Sequence, residues 1–148
     1  MKAAHAVLLN HWQSAGDEPA LAGGGESIHR GIERRFVVVL PPDFRAYLLH
    51  AAPRDDFYDN DNVTWWPPSR IKNIPDEYGQ PINEPRIAAQ ASACLFFADH
   101  FIWISAWAIC CGEGKDYGKI ALIDGQRDRI VAGSFRESFT LTSPIRCP

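Results

Sequence analysis

An eleven-residue run without a charge, Phe101-Ile102-Trp103-Ile104-Ser105-Ala106-Trp107-Ala108-Ile109-Cys110-Cys111, dominates the hydrophobic pattern and is closed by Gly112. Its aromatic and β-branched residues predict a strand. Alternation places Phe101, Trp103, Trp107 and Ile109 on one face and Ile102, Ile104, Ala106, Ala108 and Cys110 on the other. Both faces are apolar, so the strand is expected to be central and covered on both sides, with its small-residue face admitting a helix closely. The run is too short for the roughly 20 residues that a bilayer requires. Cys94 to Ala98 is a second short apolar run, with Asp99-His100 between the two as a tight turn or bulge. Gly118–Ile123 and Arg129–Ala132 read as two further strands joined at Asp124-Gly125, a pair that tolerates the positive φ of a hairpin bend. An antiparallel meander results. Ser134-Phe135-Arg136-Glu137 is a capping box, predicting a final helix from about Ser134 that turns Phe135, Phe139 and Leu141 towards the sheet before Pro144 limits it.

Upstream the spacing is helical. Ala4, Val7, Leu8, Trp12 and Ala15 recur at three and four over residues 1–15, and Gly23-Gly24-Gly25 ends this first unit. Ile28, Ile32 and Phe36 form the stripe of a helix from Glu26 to about Arg35, with His29, Arg30, Glu33 and Arg34 mostly outside it. Three consecutive valines make Phe36–Leu40 an extended link. Pro41-Pro42-Asp43 starts the next helix, with Phe44, Tyr47, Leu48 and Ala51 as its buried stripe and Pro53 beyond its end. Val63–Trp66 is a short strand, Ser69–Ile74 at most a helical turn, and Pro75, Pro81 and Pro85 keep residues 75–86 irregular. Arg86 to Ser92 fits helix or extended chain. The economical architecture is one α+β domain with a central, mostly antiparallel sheet flanked by helices. Residues 1–25 form a helix and glycine-rich joint, part of or appended to a domain at 26–148.

Composition narrows the function classes. The chain has 148 residues, 46% hydrophobic and 22% charged, enough for a self-sufficient core. Its net charge of −3 argues against direct nucleic-acid binding. Lys2 followed by an apolar stretch resembles a secretory signal only weakly, since His5, Asn10 and His11 interrupt it, so a cytoplasmic protein is expected. The four cysteines, at 94, 110, 111 and 147, include no C-x-x-C pair. Cys110 and Cys111 face opposite sides of a strand, which suits neither a mutual disulfide nor a shared metal, and three of the four cysteines sit in apolar runs where they read as small hydrophobes.

Motifs for cofactor chemistry are missing: there is no phosphate loop, dinucleotide fingerprint or nucleophile elbow. No catalytic residue, cofactor or metal is expected. Asp99-His100 is the one constellation with acid–base potential, but adjacent strand residues point apart unless the backbone bends. Arg54-Asp55-Asp56-Phe57-Tyr58-Asp59-Asn60-Asp61-Asn62 carries one arginine and four aspartates, 1 − 4 = −3, equal to the charge of the whole chain. Acidic residues interleaved with aromatics can steer and then anchor a basic partner. Asp55, Asp56, Phe57, Tyr58, Asp59, Asp61, Trp65 and Trp66, with Glu113 and Asp116 beyond the central strand, are therefore the candidate partner-binding residues. A calcium loop at Asp55, Asp59 and Asp61 lacks the glycine and terminal glutamate it would need.

Glu33-Arg34-Arg35-Phe36 followed by Leu40-Pro41-Pro42-Asp43-Phe44-Arg45-Ala46-Tyr47-Leu48-Leu49 resembles the opening of the SUKH superfamily, named partly for the yeast cell-wall-assembly regulator Knr. Trp66-Pro67 with Ile71 and Ile74-Pro75 is similar to that family's central segment. Phe97–His100, Trp107–Ile109, Gly118–Ile120 and Ile130–Phe139 resemble its closing hairpin and helix. The similarity spans about residues 26–142 and rests on the order of these motifs. Ala51-Ala52-Pro53 stands where the family usually turns at Asn-Gly, and Ser138 intervenes before the last aromatic. The resemblance implies a Smi/Knr-like α+β fold, no catalysis and, in many bacterial members, an immunity protein that binds and neutralises a secreted toxin, often a nuclease. The expected partner is thus a protein, a basic nuclease domain fitting best, with neither nucleic acid nor membrane bound directly. A regulatory scaffold in signalling or wall assembly is the alternative, and an enzyme using Asp99 and His100 the third reading.

Overall fold

The computed structural model of the protein describes residues 3–140; Lys2, Leu141, Pro144 and Cys147 lie outside the described residues. Three helices come first: α1 (Ala4–Ser14), α2 (Glu26–Phe36) and α3 (Pro42–His50). Strands β1 (Phe57–Tyr58), β2 (Val63–Trp65) and β3 (Lys72–Asn73) follow, then the single-turn helices α4 (Ile74–Glu77) and α5 (Pro85–Ala88). The long strands are β4 (Cys94–His100), β5 (Ser105–Cys110), β6 (Ile120–Ile123) and β7 (Arg129–Ala132), and α6 (Glu137–Thr140) closes the described chain. The sheet runs β1-β2-β4-β5-β6-β7, with β3 also on β4, and each pairing is antiparallel. The fold is α+β.

Alternation along the inner strands divides the core into two layers. Trp107, Ile109, Ile120 and Leu122 face a layer built from α1, α2, α3 and α6, while Ala106, Ala108, Cys110, Ala121 and Ile123 face the segment that carries Trp66, Ile74 and Ile87. The small-residue face does admit close neighbours, in the form of the short helices and loops between β2 and β4. On the other side Phe135 is the hub, with its ring 5.2 Å from Phe44, 4.9 Å from Tyr47 and 5.4 Å from Phe97. Such aromatic pairs contribute about 0.5–1.5 kcal/mol each beyond their burial. Helix α1 belongs to this layer: Trp12 is buried and meets Trp65 edge-on at 5.3 Å, and a bridge between Leu21 and Pro53 ties down the chain just before the glycine joint.

Several elements lie where the pattern put them. Helix α3 starts at Pro42, and the Asp43 carboxylate accepts from the backbone N–H groups of Phe44 (2.8 Å) and Arg136 (3.1 Å), joining the starts of the Leu-Pro helix and the final turn. The Glu137 N–H donates to Ser134 Oγ at 3.0 Å, as the capping box requires.

Others differ for identifiable reasons. The eleven-residue run is not one strand: Phe101–Ile104 form the turn between β4 and β5, and Asp99-His100 belong to β4. The irregularity lies earlier, as a bulge at Phe97 between the pairs Phe96↔Ala108 and Ala98↔Trp107. A bulge inserts one residue and breaks strict alternation. Phe97 and Ala98 both face the helix layer in consequence, and Asp99 faces the opposite side. His29, expected outside the α2 stripe, is buried beside Glu33, its Nδ1 3.7 Å from the carboxylate. Residues 75–77, expected to be irregular, lie in α4 because the Asn73 carboxamide accepts from the Asp76 N–H at 3.0 Å. Among the described residues no helix is long and apolar enough to cross a membrane.

Candidate functional site

The acidic segment folds into the β1–β2 hairpin, and its central carboxylate turns inward. Asp59 is buried and accepts from the backbone N–H groups of Asp61 (2.8 Å) and Val63 (3.1 Å) and from the Trp65 indole N–H (2.8 Å). Burial pushes its carboxyl above the ordinary carboxylate range, although these three donors and their charge-assisted bonds pull the other way. Most of the remaining acidity is paired. Asp55 meets Arg54 at 3.2 Å, Asp56 meets Arg70 at 2.9 Å, and Asp61 meets His11 Nε2 at 2.7 Å.

Register brings this hairpin beside a second turn. Val63 pairs with His100 and His100 with Ser105, so the Asp59–Asn62 turn and the Phe101–Ile104 turn share one end of the sheet. The Phe101 N–H donates to Asn62 O at 3.1 Å. The Asp124–Asp128 bend between β6 and β7 stands at the same end, through Ala106↔Ile123. A cleft of about 450 Å³ separates Phe101 and Ile104 from the Asp124–Arg129 ion pair.

The middle turn is strained. Phe101, Ile102 and Trp103 have φ of 50°, 53° and 65°, in the left-handed region that disfavours side chains by about 1–2 kcal/mol per residue. The anchors holding it are specific: the Trp103 N–H donates to Asp99 Oδ1 at 3.0 Å, its indole N–H reaches Glu77 at 3.2 Å, and its ring stacks on Tyr78 at 5.6 Å. Asp99 is itself fixed by the Trp66 indole N–H at 2.7 Å. The result is apolar surface aimed at water: Ile102 is 82% exposed, Ile104 69% and Phe101 48%, with Tyr58 of the neighbouring hairpin at 52%. Strain of this kind persists where surrounding structure over-determines it, and it clusters at functional sites.

No protein-family profile, curated protein or solved structure shows significant similarity to the chain.

The candidate residues from the sequence therefore separate. Asp55, Asp56 and Tyr58 are exposed, and Phe57 is half-buried with its ring 5.1 Å from Trp12. Trp65, Trp66 and Asp59 are internal and cannot touch a partner: the tryptophans fill opposite layers, and Asp59 organises its own turn. Glu113 and Asp116 lie beyond the far end of β5, away from the apolar turn. Glu113 is exposed, but Asp116 is covered, with Arg86 at 2.6 Å and Lys119 at 3.1 Å. The Arg86 hydrogen bond, more than Lys119, holds the Asp116 carboxyl well below the usual range. Phe101, Ile102 and Ile104 were missed as surface residues because apolar composition reads as strand.

Asp99 and His100 point to opposite faces of β4. Asp99 serves Trp66 and Trp103, whereas the His100 ring lies 5.7 Å from Trp107 on the helix side and takes a backbone partner at Asp61. Burial lowers the His100 pKa. The two groups cannot share a proton directly. At the far end of β5, a groove of about 750 Å³ opens between Val37–Val39 and the Cys111–Gly114 loop, with Tyr117 donating to Val39 O at 2.6 Å across it.

Proposed function

We propose that the protein is a non-catalytic protein-binding module of the SUKH type, an immunity protein acting in the cytoplasm that binds and neutralises a toxin domain. The observation that carries this reading is the Phe101–Ile104 turn. Phe101, Ile102 and Ile104 stand in water on a turn whose backbone costs stability at Phe101, Ile102 and Trp103, beside a polar hairpin. That is the layout of an interface centre with its rim. The order of elements, with a Leu-Pro helix, a hairpin, an antiparallel meander and a capped final turn, agrees with the fold that the resemblance implies. Catalysis by Asp99 and His100 is disfavoured by their opposed directions.

The proposed partner is basic, as a nuclease is, because a chain of net charge −3 attracts it over distance while the apolar turn supplies the grip. With Asp55, Asp56 and Asp61 each paired, the acidic hairpin steers rather than anchors. The regulatory-scaffold reading draws on the Val37–Tyr117 groove, since a scaffold needs a second contact face and this one lies at the other end of β5.

The test is co-expression with each nuclease-type toxin encoded beside the gene. Wild-type protein should restore growth, and an Ile102→Asp/Ile104→Asp variant with unchanged circular dichroism should not. Full protection by that variant would remove the turn as the site; no protection by the wild type against any of these toxins would remove the immunity reading.

A further inference from the structure

Register makes neighbours of two cysteines that the sequence keeps sixteen positions apart. Cys94, the first residue of β4, lies directly opposite Cys110, the last of β5. One rung further on, the Cys111 N–H donates to Ala93 O at 2.9 Å. Hydrogen-bonded and non-hydrogen-bonded rungs alternate in an antiparallel ladder, so Cys94 and Cys110 form a non-hydrogen-bonded pair, the kind whose Cα atoms approach to about 4.5 Å and whose side chains lie closest. That spacing falls inside the window of about 4.4–6.8 Å that a disulfide accepts. Both side chains point into the layer with Trp66 and Ile87, and their sulfur atoms are 3.6 Å apart. Cys111 points to the opposite layer, its Sγ directed at Ile109 O, and cannot compete for either sulfur.

We propose that Cys94 and Cys110 are an oxidisable pair that closes into a cross-strand disulfide on exchange with a small-molecule disulfide. The Cys94 thiolate attacks one sulfur of the reagent R–S–S–R, forming a mixed disulfide and expelling R–S⁻. The Cys110 thiolate then attacks Cys94 Sγ and expels the second R–S⁻. Two protein thiols lose two protons and two electrons, and one reagent disulfide becomes two thiols. Closing the bond requires the sulfurs to approach by roughly 1.5 Å, within reach of side-chain rotation alone.

Access is through the cover. Cys94 Sγ donates to Gln90 O at 3.3 Å, and the single turn Ala91–Ala93 joins Gln90 to the strand. Cys110 beside it, together with burial, keeps the Cys94 thiol protonated while that turn is closed. Exchange therefore waits on local opening of residues 90–94, and in a reducing compartment the pair rests as a dithiol. The pairing is independent of the proposed function.

The experiment incubates a Cys111→Ala/Cys147→Ala variant with excess glutathione disulfide and maps chymotryptic peptides by mass. The expected product is two hydrogens lighter, joins the Cys94 and Cys110 peptides, and melts about 5 °C higher until dithiothreitol returns it to the starting value. Adding Cys94→Ser should abolish both changes. Glutathione adducts without the cross-link, or both thiols still open to alkylation after denaturation, would overturn the proposal. Mapping the wild-type chain in parallel gives the same readout if the variant does not fold.

Discussion

Replacing Ile102 by glycine and, separately, by alanine separates a turn from a strand by the sign of one difference. Ile102 is 82% exposed, so either replacement forfeits only a small part of the 1.5–3 kcal/mol that full burial of isoleucine supplies, about 0.4 kcal/mol. That loss is common to both variants and cancels between them. At its φ of 53°, alanine keeps the left-handed penalty of about 1–2 kcal/mol and glycine sheds it, while glycine loses about 0.5–1 kcal/mol more through the freedom of its unfolded chain. Glycine should therefore be the more stable by about 0.5–1 kcal/mol. In an ordinary strand the order reverses, because there glycine is worse than alanine by about the same amount. Urea unfolding followed by tryptophan fluorescence would read the difference as a midpoint about 0.5 M higher for Ile102→Gly than for Ile102→Ala, at equal slopes. Equal midpoints, or a higher one for alanine, would refute the strained turn and the argument that apolar residues are kept there for contact.

Asp59→Ala strands the buried Trp65 indole N–H and Val63 N–H and the part-buried Asp61 N–H, so a loss of about 2–3 kcal/mol is expected in the same unfolding assay; a loss below about 0.5 kcal/mol would show the carboxylate to be incidental. Asp116 has a folded pKa below its unfolded one, so its contribution is present above the unfolded value of about 4 and lost as pH falls through the folded value. Asp116→Asn should accordingly lower the thermal midpoint at pH 7 and flatten its decline below about pH 4. An unchanged acid limb would count against the Arg86–Asp116 pair as its source.

The inner sheet was legible because Trp107 and Ile109 alternate with Ala106, Ala108 and Cys110, and no competing pattern interferes. The β6–β7 hairpin was legible because Asp124-Gly125 can take few other roles. Hydrophobicity misled at Phe101–Ile104, where a turn is built from residues whose composition favours extended chain. The signal that could have found it is arithmetic: if the β4–β5 hairpin bends near residue 102, partners sum to about 204, which pairs Cys94 with Cys110. For the candidate site, the acidic segment does fold into one hairpin, but counting charges does not reveal that each aspartate already has a partner. The run Asp59-Asn60-Asp61-Asn62 is rich in residues that bond their own backbone, and that chemistry fits the inward Asp59 better than a free acidic surface does.

The extra residue in β4 adds an aromatic ring to the helix layer and leaves the flanking register intact. Phe96 and Ala98 already stand opposite the consecutive residues Ala108 and Trp107, so deleting Phe97 would restore regular pleating with Asp99 still facing the Trp66 and Trp103 donors and His100 still facing Trp107. The loss would fall on the hub instead, which would give up the ring that meets Phe44, Trp65 and Phe135. A single lost codon at this point would therefore hollow the core beneath the helices while the apolar turn kept its tether.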